Sequence, residues 1–517
     1  MARIPAGGVT MVCSTRGRIW MAAGMLMAGG APRAGRAQPA PLAGLDRYIE
    51  SSMRAWKVPG LAMAVVHKGQ IVLARGYGVR RVGSADPVTD ETLFAIGSAT
   101  KTFTATAIGM LAEQGKLGLD EPVIRYRPDF RLFDPVATRE VTLRDLLSHR
   151  TGLAGGDFLW ATGEFGRDEI VRRAGTIAPV WPFRSHFDYS NVMFIAAGQV
   201  AATVAGQSWD DLVKTRILDP LGMPATVTSV RSLPAGGNVA TPHDPTDGEP
   251  RPVAWRNMDN TAAAGGINSN VRDMARWLQF QLGGGAVNGR QLVGRSFLDM
   301  MRKPETLIQR DGSWAMMSPE GHFMAYGLGW IMSDYRGRQL LQHGGGIDGM
   351  SAMVGLLPEA DIGIVVLSNL NGNQLPLAVM MRVFDAYLQA PDRDWSGEYH
   401  QLGRGAEAAG KAEEQQRTRQ LVAGTSPTLP PAGYVGTYRE PTYGDLSVTM
   451  ENGVLRARFG PEFVGRLEHL QFDTFRAVWD NPARETNYLN FTIDVTRRAA
   501  EADLYLWAPA HFKRVPE

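Results

Sequence analysis

The stretch Phe94-Ala-Ile-Gly97-Ser98-Ala-Thr-Lys101-Thr-Phe-Thr-Ala-Thr-Ala107 decides how this 517-residue chain is read. A glycine precedes the serine, and a good helix follows it. Side chains three positions apart share one face of a helix, so Ser98 and Lys101 stand together. A serine hydroxyl is a weak nucleophile until a neighbouring base takes its proton. The chain holds 8 Lys against 46 Arg, yet the amine here is lysine. Arginine stays protonated and cannot be a base, whereas burial or nearby positive charge brings lysine within reach of neutrality. With 21 Ser and 8 Lys, chance supplies about 0.3 S-x-x-K matches. The chain has one. By itself the tetrapeptide fits a helix start with a surface lysine equally well, so the rest of the chain has to decide.

At its reference pKa, lysine is neutral only about once in 2,500 at pH 7. A buried tyrosine beside it can share or relay the proton. Tyr189-Ser190-Asn191 offers one, directly before the apolar helix pattern from residue 192. At a helix start, Y-x-N sends the phenol and the amide in one direction. The other reading is a core tyrosine with Asn191 as a helix cap. A second Y-x-N, at 488–490, lies inside a strand pattern. The third element is His343-Gly344-Gly345-Gly346, after the strand-like Leu340-Leu-Gln342. Glycines at a strand edge let a substrate backbone approach closely. The Gly346 N–H, paired with the Ser98 N–H, would form an oxyanion hole. A glycine turn with a surface histidine is the competing reading.

Around these motifs, residues 42–57 have helical periodicity, and 60–67 with 70–76 read as a β-hairpin across Lys68-Gly69. The strand pattern returns at 339–344, 350–357 and 362–369, with turns at 345–348 and 358–361, and 375–388 then reads as a helix. Between these blocks lie helix patterns at 102–114, 143–147, 191–204, 209–217 and 271–282. One antiparallel sheet built from both ends, with a helical subdomain against it, is the economical arrangement. A site at their junction is a cleft. Residues 391–431 read as a linker whose part from 403 to 420 suits a solvated helix. Beyond it, 432–517 reads as a small all-β domain, with Asn452-Gly453 between two strand patterns as its strongest hairpin signal.

The first 37 residues carry a secretory pattern: Arg16 and Arg18, the apolar run 19–30, and Ala34-Gly-Arg-Ala37 as a cleavage site. The apolar run is too short to span a bilayer. Residues 1–37 hold five Arg and no acid, so the net charge of +2 becomes −3 without them. The single cysteine, Cys13, leaves with the signal, which suits an oxidising compartment. A periplasmic or secreted bacterial protein is expected. The near-neutral charge argues against a dedicated nucleic-acid binder.

Together these motifs make the chain resemble the serine β-lactamase-related family, which includes class C β-lactamases, DD-peptidases, D-aminopeptidases and family VIII esterases. Ser98-x-x-Lys101, Tyr189-x-Asn191 and His343-Gly344-Gly345 match the family's three motifs in order. The likeness spans about residues 42–390 and extends to Leu146-Leu-Ser-His-Arg-Thr-Gly-Leu153, Ala264-Gly-Gly-Ile-Asn-Ser-Asn270 and Gly327-Leu-Gly-Trp330. It implies an α+β fold, an antiparallel sheet flanked by helices with a helical subdomain, over residues 38–390. The C-terminal part is similar to the lipocalin-like barrels appended to some members.

The resemblance also implies roles: Ser98 as nucleophile, Lys101 and Tyr189 as proton carriers, and Asn191, His343, Gly344 and Gly345 at the substrate. The Ser98 and Gly346 amides would hold the oxyanion. No cofactor or metal is expected. Class C β-lactamases carry Lys and Thr where this chain has His343 and Gly344. A partly charged histidine and a missing hydroxyl hold a substrate carboxylate poorly. The expected activity is therefore an acyl-enzyme peptidase or esterase acting on D-amino-acid-containing peptides or small esters. A β-lactamase and a non-turnover penicillin-binding sensor are the alternatives. Ser98 lacks a G-x-S-x-G frame and no H-E-x-x-H occurs, which sets aside α/β-hydrolases and zinc peptidases.

Overall fold

The computed structural model describes residues 41–153, 155–506 and 509–516. The expected signal segment 1–37, with Cys13 and Ala37, lies outside the described residues. Eight strands form one sheet: β1 (Gly60–His67), β2 (Gln70–Gly78), β3 (Thr306–Leu307), β4 (Met324–Tyr326), β5 (Ile331–Tyr335), β6 (Arg338–Ile347), β7 (Met350–Leu357) and β8 (Ile362–Ser368). Their order is β2-β1-β8-β7-β6-β5-β4-β3, and every pairing is antiparallel. The sheet is thus closed from both ends of the hydrolase part, with Leu61 of β1 opposite Ser368 of β8.

The two-residue period of a strand shows in how β1 is buried. Leu61, Met63 and Val65 join one apolar cluster, and Ala62, Ala64 and Val66 join another, so both faces are covered. Seven helices matter here: α1 (Leu45–Trp56), α2 (Thr100–Glu113), α3 (Phe158–Ala161), α4 (Asn191–Ala205), α5 (Val271–Leu282), α6 (Leu375–Tyr387) and α7 (Trp395–Arg419). The first face packs Ile49 and Met53 of α1, Met380 and Phe384 of α6, and Trp395 of α7. The second packs Phe103 of α2, Phe194 of α4 and Trp277 of α5. Phe103 stacks on Trp277 with ring centroids 3.8 Å apart. Burying one such side chain contributes about 1.5–3 kcal/mol. Helix α4 is apolar on all sides and is buried on nearly all of them, as such a helix must be.

The strand β6 corrects one expectation. A turn was read at 345–348, but the strand runs on through Gly345 and Gly346 to Ile347, paired with Met350–Ala352 of β7. Ladder bonds come from the backbone, so glycines that read as a turn still build a strand. Only 338–342 of β6 also pair with β5, which leaves 343–347 with an open edge. That edge faces the turn carrying Ser98.

Helix α7 extends the expected solvated segment to 25 residues, of which only Trp395, Ser396 and Tyr399 are buried. Eight further strands close a barrel: β9 (Gly436–Glu440), β10 (Gly444–Glu451), β11 (Val454–Phe459), β12 (Phe463–Gln471), β13 (Thr474–Trp479), β14 (Asn487–Ile493), β15 (Ala499–Tyr505) and β16 (Pro509–Arg514). Asn452 and Gly453 take φ of 52° and 80°, the left-handed pair that a tight hairpin needs. Phe158 and Ala161 of α3 join the barrel's own apolar cluster with Phe459 and Phe463. Among the described residues, no helix is long and apolar enough to cross a membrane.

Candidate active site

Ser98 lies in the single 3₁₀ turn Gly97–Ala99 that feeds α2. Gly97 takes φ +51°, and a Cβ there would come within 2.9 Å of the Gly346 nitrogen. A Cβ on Gly345 would meet the Ile96 carbonyl oxygen at 1.9 Å. Only glycine at both positions lets the serine turn and the open edge of β6 lie backbone to backbone. This close approach sets Gly346 beside the Ser98 turn, where the sequence placed the second oxyanion donor.

Lys101, the second residue of α2, is fully buried. Its Nζ lies 3.1 Å from Ser98 Oγ, 2.8 Å from Asn191 Oδ1 and 2.8 Å from the Ala264 carbonyl oxygen. Burial holds its pKa well below the usual amine range, against the opposing pull of the Asp157 carboxylate. Carbonyl oxygens only accept, so Lys101 donates to Asn191 and Ala264, and it also lies within hydrogen-bond reach of the Ser98 hydroxyl. A lysine that gives up a proton here would turn its lone pair to Ser98, the one neighbour with a proton to give, as a general base requires.

Tyr189 hydrogen-bonds the Ser98 side chain, and its ring lies 4.8 Å from Lys101 Nζ. Burial raises its pKa far above the usual phenol range, so the phenol keeps its proton. Asn191 opens α4, but the cap position is Ser190, whose side chain makes no cap bond. Asn191 is therefore turned to Lys101 instead of to its own helix.

His343 departs from expectation. Its side chain is buried, with Nδ1 2.7 Å from the Gly344 carbonyl oxygen and Nε2 2.9 Å from the Tyr326 hydroxyl. Nδ1–H donates to the carbonyl, and Nε2 accepts from the phenol. Burial, with Lys101 adding to it, pushes the imidazole down to about 3. Both ring nitrogens are occupied and the ring is neutral, so direct contact with a substrate through this side chain has no donor left to use. Gly344, Gly345 and Gly346 do line an apolar cavity of about 300 Å³ with Trp314, Met353 and Leu377. A larger cavity of about 590 Å³, at Arg173 and Arg439, touches none of these groups.

Two residues at the site were not singled out from sequence. Asp157 Oδ1 lies 3.4 Å from Asn191 Nδ2 and 2.5 Å from Trp160 Nε1. Burial raises its pKa. His149 is buried, and its Nδ1 accepts the Ser190 N–H at 3.0 Å. Its ring centroid lies 4.4 Å from that of Tyr189 and 4.5 Å from that of Tyr326. Burial holds it neutral. It therefore fixes both the plane and the backbone of Tyr189. His149 stood only within the quoted stretch 146–153, and Asp157 stood alone after two glycines. Among the described residues, no three His, Cys, Asp or Glu side chains are grouped to hold a metal ion.

An antiparallel sheet closed from both chain ends, with a buried lysine behind a serine where the helical layer meets an open strand edge, defines a hydrolase of the serine β-lactamase and penicillin-binding-protein superfamily. A family model described as Beta-lactamase matches residues 45–386, and one described as a domain of unknown function (DUF3471) matches 420–514. The chain belongs to the β-lactamase family. It is 30% identical over 475 residues to the unguisins hydrolase ungD of Aspergillus violaceofuscus, covering 85% of this chain and 83% of that one. It is 31% identical to penicillin-binding protein 4 of Amycolatopsis lactamdurans, over 60% of this chain and 81% of that one. In fold it is similar to the octameric penicillin-binding protein homologue of Pyrococcus abyssi, with a TM-score of 0.60, 23% identity, and coverage of 91% of this chain and 100% of that one. The class C β-lactamase of Rhodobacter sphaeroides gives a TM-score of 0.53 at 24% identity, over 66% of this chain and 98% of that one.

Proposed function

We propose that the protein hydrolyses amide or ester bonds through an acyl-enzyme on Ser98, as a peptidase or esterase of D-amino-acid-containing peptides or small esters. One observation carries this reading: Lys101 is buried, donates to two carbonyl oxygens, and holds its Nζ 3.1 Å from Ser98 Oγ. Ser98 Oγ attacks the carbonyl carbon while its proton passes to Lys101 Nζ. The oxygen that gains charge sits between the Ser98 and Gly346 amides. Lys101, relayed by Tyr189, returns the proton to the leaving amine or alkoxide, and the carbon–heteroatom bond breaks. Water then attacks the ester by the same route and frees Ser98. Asn191 holds Lys101 and meets the substrate amide.

The neutral His343 and the absent hydroxyl at Gly344 support a substrate other than a β-lactam, since neither offers a charge or a donor to a ring carboxylate. The likeness to a relative named as a hydrolase supports bond hydrolysis as the reaction. The N-terminal pattern of residues 1–37 supports export to the periplasm or beyond.

A panel of a p-nitrophenyl ester, a D-alanyl anilide and a chromogenic cephalosporin, each with wild type and Ser98→Ala, tests the proposal. Turnover of the first two that vanishes in Ser98→Ala is expected. Full turnover by Ser98→Ala overturns the nucleophile. Strong cephalosporin turnover overturns the substrate preference, and an adduct on Ser98 that never decays marks a sensor instead.

A further inference from the structure

The barrel matches a domain of unknown function, and two of the contacts that join it to the hydrolase part lead into the site. The first is ionic. Arg484, in the barrel, places Nη1 2.7 Å from Asp348 Oδ2, and Asp348 Oδ1 lies 3.4 Å from Arg256 Nη1. The three side chains are 6%, 15% and 8% exposed, so water screens this cluster little. Asp348 stands in the turn between β6 and β7, two residues beyond Gly346. Arg484 is itself held by Glu462 at 2.8 Å and lies over the Phe463 ring. The turn that ends the glycine strand is therefore gripped from the barrel.

The second junction is apolar. Phe158 and Ala161 of α3 complete the barrel's core, and the Arg256 Nη2 donates to the Ala161 carbonyl at 2.8 Å. Helix α3 begins directly after Asp157, and its Trp160 donates to the Asp157 carboxylate. From Asp157 the contacts run to Asn191, Lys101 and Ser98. Arg256 thus ties both junctions together.

We infer that the barrel is a working wall of the active site: Arg484, through Asp348 and Arg256, positions the Gly346 oxyanion donor on one side and the α3–Asp157–Asn191 contact on the other. These three are positioning residues, since none touches the reacting atoms. The inference rests on the acyl-enzyme reading above. The interface also has a contact remote from the nucleophile, where Arg173 Nη1 donates to the Pro441 and Thr442 carbonyls at 2.9 Å. Weakening that contact loosens the interface without touching either junction.

The test uses the full chain with Asp348→Asn, Arg484→Gln, the double variant, and Arg173→Gln as the control for interface loss. Two readouts are taken: kcat and KM on a p-nitrophenyl ester, and affinity for phenylboronic acid. The boronate adds to a serine hydroxyl and places an oxygen in the oxyanion hole. Misplacing a donor costs about tenfold to a hundredfold in kcat, with KM little changed. Boronate affinity is expected to fall in step, the double variant to be no worse than the poorer single one, and Arg173→Gln to match wild type. If a variant is unfolded by circular dichroism, Arg484→Lys, which keeps the charge, gives the reading at an intermediate rate. Wild-type kcat in Asp348→Asn and Arg484→Gln overturns the inference, as does an equal loss in Arg173→Gln. Turnover that survives Ser98→Ala overturns the acyl-enzyme reading itself. Turnover that needs Ser98 but ignores Asp348 and Arg484 overturns this inference alone.

Discussion

His343 gives a sharp test of the site's electrostatics. In the folded chain burial pushes its imidazole from 6.5 down to about 3. An unfolded chain takes up a proton on this ring near 6.5, while the folded chain takes none until about 3. Between these values the unfolded state binds more protons, so stability rises with pH and is lost as pH falls. The contribution is complete above the unfolded value and is withdrawn at about 1.4 kcal/mol per pH unit below it. Over the whole window this comes to about 5 kcal/mol, comparable with the net stability of many domains. Gln in place of His343 can still donate to the Gly344 carbonyl and accept from Tyr326, but it does not titrate. Urea unfolding of wild type and His343→Gln from pH 4 to pH 7 is the assay. The variant is expected to have a stability–pH slope shallower by about 1.4 kcal/mol per unit, one proton's worth. His149, also held neutral, contributes alike to both and cancels. Parallel slopes refute the argument, because they mean that His343 takes a proton as readily folded as unfolded.

Lys101→Arg puts a permanent cation beside Ser98 and removes the base, and about a 10³-fold loss in the p-nitrophenol burst is expected; a loss under tenfold rules out Lys101 as base. The Asp157 charge raises the Lys101 pKa, so Asp157→Asn should move the acid limb of the kcat/KM profile to lower pH. A limb that stays or moves up contradicts that coupling. Phe158→Ala empties a site in the barrel core that is 4% exposed. Calorimetry should register a loss of about 3–5 kcal/mol, and a loss below about 1 kcal/mol denies that α3 is part of that core.

Local signals made much of the fold legible. Helix α5 was read to the residue because Asn270 caps it, accepting from the Asp273 N–H, and Gly283 ends it. Strand β7 and the start of β8 were plain because Pro358 and Asp361 punctuate two apolar runs. Strands β9 and β16 escaped notice. One begins at Gly436 beside prolines, the other begins at Pro509 and ends in the adjacent cations Lys513 and Arg514, and barrel closure rather than propensity makes them strands. In the site, Ser98 and Lys101 lie three residues apart at the start of a helix and could be read as a pair, and Tyr189 and Asn191 lie two apart at the start of another. Asp157 and His149 have no such spacing. Each acquires its place only when a loop folds onto α4, and no single-residue pattern announces that. His343 was expected at the substrate, but its neutrality depends on burial and on Tyr326, a residue from another strand.

The pairing of β1 with β8 also governs how this chain is made. Leu61 meets Ser368 across about 300 residues of intervening sequence. During synthesis β1 therefore waits, with apolar side chains on both faces and an unpaired edge, until nearly the whole hydrolase part has emerged. Its only early partner is β2, whose outer side chains are largely exposed. Such a strand is an invitation to pair with the wrong chain. Ser98 and Gly346 meet across the same long closure, so catalysis cannot begin in a partly made chain. Activity in this protein reports completed long-range assembly.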